Sequence, residues 1–199
     1  MIIQQIIDFL LNTDRQLFLF LNSIHSPFFD DIMWWLSQRL IWAPLYAVLL
    51  IMMWLTYRNK FWYIIPLIIL LVTLTDQISV VLFKDVFLRL RPCHEPSLEG
   101  MVRIVRGHCG GSYGFISSHA ANTFGVAVFG GSLLKVKYKW TFPLLLLWAA
   151  TVSYSRIYLG VHYPGDVIVG GIVGALLGWI IYLLFQWIIR KRYPSIATT

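Results

Sequence analysis

Three short stretches carry side chains whose types and spacing could act on a phosphoryl group. The first is KDVFLRLRP, residues 84–92. Lys84 and Arg91 stand seven residues apart, so two cations share a face if one helix carries both. Pro92 disfavours helix at the residue before it, which predicts a helix end near Arg91. The second is ISSH, residues 116–119, opening an apolar run. Ser117 and Ser118 are small, and a helix that starts there offers backbone amides and its positive dipole end to an anion, with His119 in the first turn. The third is SRIYLGVHYPGD, residues 155–166. Pro164 suits the first turn of a helix. That leaves His162 just outside the helix and Asp166 just inside, one turn away, where a carboxylate can accept from the imidazole and fix its tautomer.

Singly, each stretch has a plainer explanation: lysine and arginine reaching for lipid headgroups, a serine cap beside an interfacial histidine, a loop followed by an acidic first turn. Together they make a reactive set. Lys84, Arg91 and Arg156 with exposed amides suit phosphate. A histidine steadied by an aspartate can attack phosphorus, and a second histidine can protonate the leaving oxygen. The set calls for no metal and no cofactor: the chain has only nine acidic residues, and no carboxylate cluster of two-metal type accompanies these histidines.

The elements that must bring these residues together are apolar helices. Of 199 residues, 58% are hydrophobic and 13% charged, and mean hydropathy is +0.71, whereas soluble domains carry about a quarter charged residues. This predicts a single membrane-embedded domain over 1–199, all-α. Apolar runs at 42–57, 61–84, 117–134, 140–157 and 165–189 are long enough to span. Segment 28–41, with Asp30, Asp31 and Arg39, reads as a helix at the interface broken before Pro44. The first 27 residues read as either an interfacial helix or a first span, retained in the mature protein, and with them the bundle has about six helices. The net charge of +7 does not form a basic stripe for nucleic acid. It gathers in short connectors: Arg58 to Lys60, Lys135 to Lys139, and Arg190 to Arg192. Alternating spans put all three on one side, which the positive-inside rule makes cytoplasmic. The long connector 85–116 and the short one at 158–164 then face outward, and with them every reactive residue.

Other features read as structural. Gly170, Gly174 and Gly178 form overlapping GxxxG units for close helix packing. Thr73, Asp76 and Gln77 are expected to make a polar stripe facing the bundle interior. Cys93 and Cys109, both in the outer connector, are a candidate disulfide. Arg89, Arg103 and Arg106 are expected to read extra headgroup charge.

The three motifs resemble, in order, those of the type 2 phosphatidic acid phosphatase superfamily, which includes bacterial acid phosphatases and vanadium haloperoxidases. The family pattern is a lysine, six residues, then Arg-Pro; Pro-Ser-Gly-His; and Ser-Arg, five residues, His, three residues, Asp. The first and third match fully; Ile116 and Ser118 stand where the second has proline and glycine. The resemblance covers 84–166 in motifs. It implies that His162 attacks phosphorus to form a phosphohistidine, Asp166 orients it, His119 protonates the leaving group, and Lys84, Arg91, Ser117, Ser118 and Arg156 hold the phosphoryl oxygens. The expected activity is hydrolysis of a lipid phosphate or diphosphate, such as undecaprenyl diphosphate, phosphatidylglycerophosphate, phosphatidate or lipid A 1-phosphate. The expected location is a bacterial cytoplasmic (inner) membrane, with the site facing the periplasm or exterior. The expected partners are the bilayer and its phosphorylated lipid; the residues carry no signal of oligomeric state. The same charges fit two alternatives: an anion or lipid transporter, and a lipid phosphotransferase.

Overall fold

A computed structural model describes residues 2–194. Its helices are α1 (Ile2–Ser23), α2 (Pro27–Leu36), α3 (Ala43–Tyr57), α4 (Phe61–Gln77), the short α5 (Asp85–Phe87), α6 (Ser118–Leu134), α7 (Thr141–Tyr158) and α8 (Pro164–Arg192). The protein is an all-α integral membrane bundle. Two stretches, Arg39–Phe87 and Pro164–Arg192, contain windows of mean hydropathy 2.2 and 2.4. Helix α8 exposes Ile168, Ile172, Leu176, Ile180 and Leu183 while burying Gly170, Gly174 and Gly178. A soluble protein would do the reverse; an outward face of large aliphatics suits lipid.

Helix α6 is the axis of the bundle, buried along most of its length. Leu49, Met53, Ile64, Leu67, Leu71, Phe129, Leu133, Leu145 and Phe185, from α3, α4, α6, α7 and α8, pack into one apolar core. On α4 the inward residues are Ile64, Leu67, Leu71 and Thr75. That spacing turns Thr73 and Gln77 outward, so the interior polar stripe expected there is formed by Thr75 and Ser79 instead. Thr75 Oγ1 donates to the Leu71 carbonyl at 2.9 Å and meets Asn122 of α6.

The glycine stripe of α8 lies on the backbone of α6. A Cβ on Gly170 would come within 2.6 Å of the Ser117 carbonyl oxygen, and one on Gly174 or Gly178 would come closer still to the Ala121 or Gly125 carbonyl. Backbone cannot yield as a flexible side chain can. Gly174→Val is therefore expected to destabilise the bundle by about 3 kcal/mol or more, the upper range for overpacking. The check is thermal unfolding in detergent.

Chain direction sorts the two ends. Helices α4 and α7 end, and α6 and α8 begin, at the end that carries the three motifs. The opposite end carries Arg58–Lys60, Lys135–Lys139 and Arg190–Arg192, and there Lys60 lies over the Tyr193 ring at 5.4 Å. Helix α1 is exposed over residues 2–13. It docks by its C-terminal half at the motif end, through the buried Phe18 and Asn22. Segment 28–41 divides into α2 and a 3-10 turn, Arg39–Trp42, and Pro44 falls in the first turn of α3.

Candidate active site

Helix α4 widens into a π-helical stretch, Ile78–Lys84, before α5. Such insertions recur at functional sites because they re-aim side chains without ending the helix. Here Ser79 and Lys84 both reach the start of α6. Ser79 Oγ lies 2.6 Å from Ser118 Oγ, and Lys84 Nζ donates to Ser118 Oγ at 2.7 Å. The hydroxyl at the position where the family has glycine is thus the anchor of the lysine.

Arg91 is not on that helix, contrary to the shared-face expectation. Leu88 adopts a left-handed conformation, φ 49°, and the chain leaves the helix early. It then runs beside residues 112–114: Arg91 N–H donates to the Ser112 carbonyl at 3.0 Å and Gly114 N–H to the Arg89 carbonyl at 2.9 Å. The two cations converge by chain reversal. The Arg91 guanidinium is held by the Tyr113 and Cys109 carbonyls, each at 3.3 Å, and its Nη1 lies 3.4 Å from His162 Nε2.

His162 is 2% exposed and bridges two partners. Its Nδ1 lies 3.3 Å from Asp166 Oδ2, which also accepts the Tyr163 N–H at 3.0 Å. This network assigns the proton to Nδ1 and leaves Nε2 as the lone-pair nitrogen, facing Arg91. Burial, reinforced by the charges of Arg91, Arg156 and Lys84, holds the imidazole well below its usual pKa and keeps it neutral. A neutral imidazole with a lone pair facing a cation is chemically able to act as a nucleophile or a base.

Around this chain of contacts stand the other residues singled out in the sequence. Ser117 N–H is taken by the Asp166 carbonyl at 3.0 Å, while its Oγ is buried with no partner among the described residues. Arg156 donates to Ser37 Oγ, and its buried Nε is likewise without a partner, so it retains capacity for an anion. Ser37 and His119 are among the residues that line a cavity of about 410 Å³ between α3, α4, α6 and α7. Its walls include Trp42, Tyr46, Met53, Leu71 and Phe129, and it reaches Gly130, about 16 Å below His119 at the helical rise. Arg39, an exposed residue, also lines it and makes no ion pair among the described residues.

The three arginines expected to read headgroup charge are engaged elsewhere. Arg89 pairs with Asp14 at 2.7 Å and Asp166 at 2.9 Å. Arg103 pairs with Asp30, and its hydrogen bond is the largest influence holding the Asp30 carboxyl below its usual pKa. Arg106 pairs with Asp31 at 2.7 Å. The α2 acids lie far from these arginines in sequence, so nothing local announced the pairs. Cys93 and Cys109 are joined, Cα–Cα 6.1 Å, beside the Cys109 carbonyl that holds Arg91.

Gly114 lies outside the three motifs, yet it packs against the site. A Cβ there would lie 3.1 Å from both Arg91 Cγ and Asp166 Oδ2, and 3.5 Å from His162 Nδ1. Gly114→Ala is therefore expected to displace the site by a few tenths of an ångström and reduce turnover roughly tenfold to a hundredfold. Unfolding measured beside the kinetics should show little change.

Comparison with known proteins agrees with this architecture. The profile of the PAP2 superfamily matches residues 65–190, and the chain belongs to that superfamily; it is a membrane phosphatase. It is 40% identical over 183 residues to a lipid A 4'-phosphatase of Bacteroides thetaiotaomicron, covering 89% of this chain and 79% of that protein. A lipid A 4'-phosphatase of Porphyromonas gingivalis is 34% identical, covering 94% and 78% respectively. Among solved structures, the transmembrane PAP2-type phosphatidylglycerolphosphate phosphatase from Bacillus subtilis shares the fold, with TM-score 0.71 and 22% identity over 90% of this chain and 87% of that one.

Proposed function

We propose that the protein hydrolyses the phosphate of a membrane lipid without metal or cofactor, through a phosphohistidine at His162. The observation that carries this reading is the line Arg91–His162–Asp166, on which the charges of Arg156 and Lys84 also act, together with an apolar cavity whose lining includes His119 and Ser37, the partner of Arg156. Substrate phosphate takes the place near Nε2 where Arg91 now points. Its oxygens are held by Lys84, Arg91, Arg156, Ser117 Oγ and the first amides of α6, among them that of Ser118, which have no partner within the helix. Nε2 attacks phosphorus as the bond to the leaving oxygen breaks, and His119 gives that oxygen its proton. Asp166 stabilises the imidazolium character that develops. His119 then takes a proton from water, whose oxygen attacks phosphorus. The P–N bond breaks, and inorganic phosphate and free His162 result. The cavity below His119 holds part of the lipid on the leaving-group side, burying apolar surface at about 25 cal/mol per Å².

The substrate that the similar proteins support best is a phosphorylated glycolipid of the lipid A kind, cleaved at its 4' position. The basic connectors at the opposite end support a non-cytoplasmic site in an inner membrane. The reactive residues cluster at helix ends rather than at mid-bundle, which favours hydrolysis over transport. The test is release of phosphate by purified protein in detergent with EDTA, offered lipid A, undecaprenyl diphosphate, phosphatidylglycerophosphate and phosphatidate. Mass spectrometry then identifies the position that lipid A loses. Loss of the 4'-phosphate is expected. Turnover of another lipid with lipid A untouched would overturn the substrate, and turnover abolished by EDTA the metal-free mechanism.

A further inference from the structure

Helix α1 lies outside the 65–190 stretch that the family profile matches, yet one of its side chains is wired to the nucleophile. Asp14 Oδ1 accepts the N–H of Gly165, at the start of α8, at 2.7 Å. Its Oδ2 accepts from Arg89 Nη2 at 2.7 Å. Arg89 turns its other terminal nitrogen, Nη1, to Asp166 Oδ1 at 2.9 Å. The guanidinium between them lies over the Tyr163 ring, 4.0 Å from its centroid. Asp166 uses its remaining oxygen, Oδ2, on His162 Nδ1. The line therefore runs unbroken from α1 to the attacking imidazole.

The line is supported from both sides. Asp14 approaches α8 closely because residue 165 is glycine: a Cβ there would lie 2.8 Å from Asp14 Oδ2. Phe18, one turn further along α1, packs edge-on against Tyr163 with ring centroids 5.4 Å apart. One turn beyond, Asn22 donates to the Tyr158 carbonyl at 2.9 Å and accepts the Arg103 N–H at 2.9 Å. A single face of α1 is thus docked on the end of α7 and the start of α8.

We propose that Asp14 and Arg89 are positioning residues for hydrolysis: the Asp14–Arg89–Asp166 line keeps Asp166 ionised and aimed at Nδ1, so that His162 presents Nε2 to phosphorus. The proposal rests on the reading of His162 as nucleophile. Asp166 has a fully buried side chain, and a buried carboxylate stays charged when it is paired. Arg89 supplies the pair. With a side chain 19% exposed, Arg89 needs its own anchor, and Asp14 supplies that. Without Asp14, the arginine is at liberty to turn towards solvent or towards the substrate phosphate, and Asp166 loses its fixed partner.

The test uses full-length protein in detergent with 15N-histidine labelling and the lipid substrate. Asp14→Asn keeps an acceptor for Gly165 but removes the charge. Arg89→Lys keeps the charge but loses the fork that spans two carboxylates. Each is expected to lower kcat about tenfold to a hundredfold, the range seen when an outer partner of a metal-bound imidazole is removed, with KM nearly unchanged. The nitrogen spectrum of His162 should move from a single Nδ1–H tautomer to a mixture. Asp14→Asn should add little in the Arg89→Lys background, since both break one line. Asp8→Asn, in the exposed N-terminal half of α1, is the control and should match wild type. Unchanged kcat in Asp14→Asn, an unchanged His162 tautomer, or fully additive losses would overturn the proposal. A fall in thermal stability with the tautomer intact would reduce Asp14 to a structural contact. Turnover surviving in His162→Ala would instead defeat the nucleophile reading, while the tautomer signal would still report on the line itself.

Discussion

Replacing His162 with alanine is expected to lower phosphate release by about ten-thousand-fold or more, the scale on which loss of a covalent nucleophile is felt. The side chains that could replace it are mostly engaged: Ser118 Oγ with Lys84 and Ser79, Ser37 Oγ with Arg156, and Asp166 with Arg89 and the Tyr163 amide. The fold should survive, because Asp166 keeps those two partners once the imidazole is gone. His162→Gln, closer in volume, should be equally inactive. Phosphate release and thermal unfolding, measured on the same preparations, check both statements. An alanine variant that retains a tenth of wild-type turnover would assign the attack to another group.

Arg91→Lys should have the second-largest effect, a fall in kcat/KM of about a hundredfold to a thousandfold, despite the conserved charge. Arg91 is positioned by its fork: Nε on the Tyr113 carbonyl, Nη1 on the Cys109 carbonyl, and the same Nη1 towards His162 Nε2. A lysine ammonium is a point charge on a flexible stem and cannot satisfy both carbonyls while meeting substrate oxygens. Loss of one preorganised donor aimed at developing charge costs about this much in other enzymes. The effect should fall on kcat as well as KM. A change confined to KM would make Arg91 a headgroup contact only.

How far the sequence disclosed this site depends on the kind of contact. The residues proposed to meet phosphate stand out by type and spacing: Lys84, Arg91, His119, Arg156, His162 and Asp166 draw notice because few membrane-buried positions tolerate such groups without a use. The spans were legible from hydropathy, and the glycine stripe of α8 from its four-residue period. What could not be read was how separated stretches meet. Nothing near Arg89 signals that it binds Asp14, 75 residues earlier, rather than a headgroup. Nothing near Arg103 signals Asp30, 73 residues earlier. The π-helical stretch at Ile78–Lys84, which carries Ser79 and Lys84 to the start of α6, also has no signature of its own. Motif spacing marks the candidate residues; long-range pairing, which shows how they are held, is a property of the packed bundle.

The central claim is that phosphorus becomes bonded to His162 during turnover. The direct measurement is a single turnover on labelled lipid, quenched in alkali to preserve a P–N bond, followed by peptide mapping of the protein. Phosphate on the peptide that contains His162, and its absence from the His162→Ala protein, is the result expected here. Label on a serine or carboxylate, or a complete turnover in the alanine variant, would contradict it.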